Sequence, residues 1–153
     1  MDLKRLAVFG FVLFCFFTVL VTAVPGQITK FLNLSMADGL SMSTVICIDQ
    51  DQYGFMWIGT SSGLNIYDGE VFRHFLHDNS DKDTNSRSIN DIITSGDTAW
   101  LATQDGLFMM DVRTKSYKKQ DIGENKNIRT LSLDKANNKL WVGTNTGLIE
   151  LSI

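Results

Sequence analysis

Three pairs of polar residues occupy the same place in a recurring stretch of this chain: Ser61-Ser62, Gln104-Asp105 and Asn145-Thr146. Their hydroxyls, amides and carboxylate can donate and accept hydrogen bonds side by side, which is the chemistry that matches the hydroxyls of a sugar. Tight turns prefer the same residue types, so a structural reading stands beside the binding one. Other candidate chemistry is thin. His74 and His77 are three apart, which puts them on opposite faces of a strand, and no cysteine joins them to make a zinc ligand set. Asp81-Lys82-Asp83-Thr84-Asn85 has the acidic character of a calcium loop, yet Ser86 stands at the glycine position and Ile92 at the terminal glutamate position. Neither group points to a metal, and no cofactor is expected. No Ser, His and Asp set, catalytic carboxylate pair or phosphate-cradling glycine loop occurs at recognisable spacing, so no residue is assigned a catalytic role.

The polar pairs are positioned by a repeat. WIGTSSGLNIYD from Trp57, WLATQDGLFMMD from Trp100 and WVGTNTGLIELS from Trp141 share their internal spacing, with the tryptophans 43 and then 41 residues apart. The set Trp57, Gly59, Thr60, Gly63 and Leu64 recurs as Trp100, Ala102, Thr103, Gly106 and Leu107, and again as Trp141, Gly143, Thr144, Gly147 and Leu148. A period of about 40 to 45 residues with an aromatic signature is that of a four-stranded propeller blade. In the first copy, Thr44 to Ile48 reads as an inner strand, Phe55 to Ile58 as a strand covered on both faces, Leu64 to Tyr67 as its hairpin partner and Val71 to Phe75 as an outer strand. Strands at Ile89 to Thr94, Ala99 to Thr103, Leu107 to Asp111 and Ser116 to Gln120 follow in the second copy, and at Ile128 to Leu133, Lys139 to Thr144 and Leu148 to Leu151 in the third. The small residues Gly59, Ala102 and Gly143 predict a close approach by a neighbouring strand or blade, and the three indoles predict apolar packing between sheets. The fold expected is all-β, a partial propeller of about three antiparallel blades: blade 1 over 44–87, blade 2 over 88–127 and an incomplete blade 3 over 128–153.

Ahead of the repeats, Lys4 and Arg5 precede an uncharged apolar run from Leu6 to Val21, followed by Val21-Thr22-Ala23. That is the layout of a secretory signal over 1–23, or of a retained membrane anchor, and in both cases an N-terminal hydrophobic helix is expected and the repeats are exported. Residues 24–43 then read as a leading strand and linker, the strand being Gln27 to Leu34. Without residues 1–23, Cys47 is the remaining cysteine, so stability is expected from packing and not from a disulfide. A net charge of −3 without a basic cluster argues against nucleic acid as a partner.

The string from Ala37-Asp38-Gly39-Leu40-Ser41 through Val45-Ile46-Cys47-Ile48-Asp49-Gln50-Asp51 to GFMWIGTSSGLNIYDG, ending at Gly69, closely resembles the two-component regulator propeller family. The resemblance extends from about residue 28 to the end. It implies an exported, periplasmic propeller that senses a ligand, often an oligosaccharide, for a two-component receptor homodimer whose remaining blades and histidine kinase region continue the signal by phosphorelay. The kinase phosphoacceptor histidine, its nucleotide-binding region and a receiver aspartate are not in this sequence, so the chain is expected to be a non-enzymatic input portion. Two other classes stay open: part of a propeller enzyme acting on polysaccharide, whose site would be shared among blades, and a nonfunctional or self-assembling propeller fragment.

Overall fold

A computed structural model of the chain describes residues 31–75, 88–123 and 127–153. The chain divides into two units, Met1–Asn33 and Leu34–Ile153. Eleven strands are described, all of them in the second unit. Blade 1 is a sheet of β1 (Val45–Gln50), β2 (Met56–Thr60), β3 (Gly63–Tyr67) and β4 (Phe72–Phe75), hydrogen-bonded in that order. Blade 2 repeats the order with β5 (Ile89–Ser95), β6 (Thr98–Thr103), β7 (Gly106–Asp111) and β8 (Tyr117–Lys119). Blade 3 has three strands among the described residues, β9 (Ile128–Asp134), β10 (Lys139–Thr144) and β11 (Leu148–Ser152). Every pairing is antiparallel, and the all-β propeller architecture is the one expected.

The register is conserved from blade to blade. Cys47 faces Gly59, Asp91 faces Ala102 and Thr130 faces Gly143 across the first strand pair, with an irregularity one step before or after in each. Because side chains alternate along a strand, this register sends Trp57 and Trp100 toward the following blade, and Leu101 and Val142 toward the preceding one. Trp57, Leu64 and Ile66 of blade 1 accordingly form one core with Ile89, Ile92, Ala99, Leu101, Met110 and Val112 of blade 2. Trp100, Ala102 and Leu107 form a second core with Ile128, Leu131, Leu140 and Val142 of blade 3. Space is tight at two of the three small residues: a Cβ on Gly59 would come within 2.9 Å of Ile89 Cγ2 and would run into Cys47 Sγ, and one on Gly143 would lie 2.7 Å from Thr130 Cγ2.

Polar groups on the inner strands fasten the same interfaces. Asp49 Oδ2 accepts from Thr94 N at 2.6 Å and from Thr94 Oγ1 at 2.9 Å. One interface further on, Asp91 Oδ2 accepts from Leu131 N at 2.7 Å and Thr130 Oγ1 at 2.9 Å. Cys47 is packed at the first interface with Sγ 3.7 Å from Ile89 O, and burial, with the charge of Asp91 adding, pushes its thiol up to about 12.

Two sequence expectations need comment. Of the leading strand expected over Gln27 to Leu34, the described part, residues 31–34, has no strand, and Phe31 and Leu32 are exposed. Apolar composition does not make a strand without a partner for its backbone groups. Instead, Ser35 caps a short 3-10 turn at Met36–Asp38, reciprocated by the Asp38 carboxylate, and the following segment docks on blade 1. There Ser41 N donates to Asn65 Oδ1 at 2.9 Å, and Leu40 is buried. The expected N-terminal hydrophobic helix and the signal or anchor over 1–23 lie outside the described residues, as do residues 27–30, His77 and the 81–86 loop. Among the described residues no helix is long and apolar enough to cross a membrane.

Aspartates close several strand-to-strand turns. Asp68 Oδ1 accepts from Glu70 N and Val71 N, Asp111 Oδ1 from Arg113 N and Thr114 N, and Asp134 Oδ1 from Ala136 N and Asn137 N. Hydrogen bonds of this kind stabilise the ionised carboxylate and hold all three below the ordinary aspartate range; at Asp134 the Asn137 side-chain amide contributes most. A lowered folded-state value contributes stability that is present above the unfolded value of about 3.9 and is lost as pH falls through the folded one. The urea midpoint of the chain is therefore expected to stay level from pH 7 to 5 and to fall below about pH 4. Replacing all three aspartates with asparagine should flatten that fall, and an unchanged acid limb would contradict the assignment.

Candidate functional site on the hairpin rim

The hairpins that carry the six candidate binding residues are built the same way three times. The hydroxyl of Thr60 donates to Gly63 O at 3.0 Å and accepts from Ser62 N at 3.1 Å. Thr103 Oγ1 repeats this with Gly106 O at 2.8 Å and Asp105 N at 3.1 Å, and Thr144 Oγ1 with Gly147 O at 2.9 Å and Thr146 N at 3.1 Å. One hydroxyl thus bonds to a turn amide and to the carbonyl of the closing glycine. The glycine that follows has φ of 120° at Gly63, 136° at Gly106 and 153° at Gly147, the region that a side chain disfavours. Thr, two variable residues and Gly are therefore the frame, and the variable pair is what the frame presents.

Sequence reading placed those pairs on one rim. Equivalent strands of the three sheets stack in register, which puts the β2–β3, β6–β7 and β10–β11 hairpins at equivalent ends of their blades. Ser61, Gln104, Asn145 and Thr146 are exposed at the tips, whereas Ser62 and Asp105 are half-buried. Asp105 differs chemically from the rest. Its Oδ2 is shielded from water and accepts no hydrogen bond among the described residues. It also lines a cavity of about 290 Å³ with Gly106, Lys119, Gln120, Asp121 and Ile122. A shielded carboxylate oxygen without a donor is unfavourable by itself and favours a donor from outside.

The indoles are buried to different degrees. Trp57 is fully buried and its Nε1 donates to Asp51 Oδ2 at 2.8 Å, while Asp51 Oδ1 accepts from Tyr53 N and Phe55 N. Trp100 is buried, but Trp141 is half-buried and Leu148 is 67% exposed where Leu64 and Leu107 are fully buried. The face of blade 3 that carries Trp141 and Leu148 has no further sheet against it among the described residues. His74 Nε2 lies 2.7 Å from Gly39 O, which ties it to the docked leading segment. Sequence reasoning passed over Asn65, which is buried beside this segment, and Asp51; the signal available was a polar residue inside an otherwise apolar, repeating frame.

With this geometry in view, the relatives are informative. Residues 39–62 match the two component regulator propeller family, a span that runs from the docked segment to the first Thr-clamped hairpin. Histidine kinase P4 of Formosa agariphila is 36% identical over 86 residues, which are 56% of this chain and 6% of that protein. The crystallised extracellular domain assigned to a hybrid two component system of B. thetaiotaomicron superposes with a TM-score of 0.71 at 26% identity, over 80% of this chain and 19% of that one. PorZ, a surface component of the type-IX secretion system of Porphyromonas gingivalis, shares the fold at a TM-score of 0.57 and 20% identity, over 74% of this chain and 18% of its own. The propeller repeat chain described here thus spans a small part of the length of each of these proteins.

The hairpin frame leads to an ordered expectation. Thr60→Val and Thr103→Val, at buried hydroxyls, should each lower unfolding free energy in urea by about 1–3 kcal/mol, because two backbone partners lose their bond. Thr144→Val, with water able to replace the hydroxyl, should cost less. Equal losses at all three positions would contradict the role of burial.

Proposed function

We propose that this propeller portion is an extracytoplasmic ligand-sensing surface of a two-component receptor and that its ligand is an oligosaccharide held on the hairpin rim. The relation to extracellular domains of hybrid two component systems supports the location and the signalling context. Asp105 carries the choice of ligand: its carboxylate oxygen, without a donor among the described residues and beside a 290 Å³ cavity, is an acceptor suited to a hydroxyl donor. Gln104 and the tips of the neighbouring hairpins supply both donors and acceptors, as a sugar edge requires. In this reading the chain itself performs no chemistry, and the kinase activity belongs to a part of the receptor beyond these blades.

Sensing also needs a conformational consequence. A ligand shifts a receptor between states only by binding them unequally, and a rim shared by several blades, or facing a second receptor copy, provides contacts that change when those parts move. Export by the N-terminal segment, as a cleaved signal or as an anchor, belongs to the same reading, as does a receptor homodimer.

The test uses a receptor that contains these blades, a transcriptional reporter of its output, and a panel of oligosaccharides from partial hydrolysis of plant and algal polysaccharides. One or more members should induce the reporter. Asp105→Asn should raise the concentration needed for half-induction by about tenfold or more, since a hydrogen bond to a charged acceptor is worth about 1.5–3 kcal/mol. Induction that survives deletion of the propeller would overturn the proposal.

A further inference from the structure

A second cavity, of about 300 Å³, opens between blades 1 and 2, away from the residues of the rim site. Blade 1 contributes Tyr53 from the β1–β2 turn, Phe55, and Arg73 and Phe75 from β4; blade 2 contributes Arg113 and Lys115 from the β7–β8 turn. Three cations and one carboxylate, Asp68, line it, in a chain whose net charge is −3. Asp68 is already engaged by the amides of Glu70 and Val71 and stands 3.6 Å from Arg73, an exposed pair of small energetic weight. The Arg113 guanidinium has no ion-pair partner among the described residues.

Lys115 is the informative member. Its backbone is left-handed, with φ of 60°, and its amide donates to Asp111 O at 2.9 Å, so the turn fixes where the side chain starts. Its Nζ is shielded from water and donates to no acceptor among the described residues. It lies 4.7 Å from the Trp57 ring centre and 5.2 Å from that of Phe55, which offsets part of the lost hydration. Burial holds this ammonium below the ordinary lysine range; Asp51 opposes that, and Arg73 pushes the same way as burial. An anion in the cleft would relieve the crowding of like charges. The aromatic walls are set in advance as well: Tyr53 OH donates to Asp97 Oδ1 at 2.6 Å across the blade interface.

From this arrangement we infer that the cleft between blades 1 and 2 binds an anionic sugar ring, with a carboxylate or sulfate ester toward Arg73, Arg113 and Lys115 and its apolar face on Tyr53, Phe55 and Phe75. The volume suits one ring, at the lower end of ordinary small-molecule sites. Bidentate pairing by a guanidinium gives the anion its orientation, and the aromatic faces distinguish a ring from a bare ion. The bound group touches both blades, so it stiffens their interface. This site does not depend on the rim reading, because it shares no residue with it.

The experiment titrates D-glucuronate and D-glucose 6-sulfate into the whole 153-residue chain at low ionic strength, followed by calorimetry and by thermal unfolding, with D-glucose and inorganic sulfate as controls. At least one of the two acidic sugars should bind saturably, at least tenfold more tightly than either control, and raise the melting temperature. Arg113→Gln, at an exposed side chain that leaves the core intact, should weaken that binding at least tenfold, and Lys115→Met should do the same if it folds. Asp105→Asn should leave it unchanged. Binding of inorganic sulfate as tight as that of the acidic sugars would overturn the ring assignment, and no saturable binding by either sugar, or full retention in Arg113→Gln, would overturn the site.

Discussion

Each of these sheets has two apolar faces and can bury neither alone; stacking of one sheet on the next is the constraint on which the rest of the structure depends. The Trp57 face of blade 1 becomes a core when the Leu101 face of blade 2 covers it, and the Trp100 face of blade 2 when the Val142 face of blade 3 does. Blade 2, covered on both sides, is buried along almost all of β6. On the outward face of blade 1, Ile48 is 63% exposed, although it belongs to the same repeating frame. Stability in such an array is a sum over neighbouring interfaces, not a property of each unit.

The same constraint prepares the rim. Stacking in a fixed register brings equivalent hairpins to equivalent ends of their blades, and the threonine clamp and following glycine hold the backbone of each without using the two tip residues. Those residues are thereby free to differ: Ser61-Ser62 can be replaced by Gln104-Asp105 without altering the frame. A surface that varies over a backbone that does not is suited to ligand recognition, and Asp105 shows the consequence, a carboxylate oxygen placed by the frame and without a donor among the described residues. The cleft between blades 1 and 2 arises differently, from turns at the opposite ends of β2 and β7 from the rim hairpins, and so carries a different chemistry.

Much of this was legible in the sequence because the repeat reports the same local physics three times. Strand positions, the turn glycines and the tight space at Gly59 and Gly143 all follow from alternation and spacing. What was not legible depends on partners far away in the chain. Asp49 and Asp91 sit on inner strands as unremarked polar residues, yet each fastens the next blade through a residue about 40 positions on, which no local pattern announces. Lys115 gave no signal either, since its position over Trp57 comes from blade stacking and a left-handed turn together. The short turn at Met36–Asp38 was within reach, because Ser35 and Asp38 have capping-box spacing, but the apolar run before it drew the reading toward a strand.

The most direct test of the central claim is to replace the three signature tryptophans one at a time with alanine and measure unfolding free energy in urea. The account gives about 3–5 kcal/mol each for Trp57→Ala and Trp100→Ala, whose indoles are buried at an interface, and a clearly smaller loss for Trp141→Ala, which is half-buried with no sheet against its outward face among the described residues. Three equal losses would mean that the indoles stabilise their own blades, and that burial between blades is not what holds this array together.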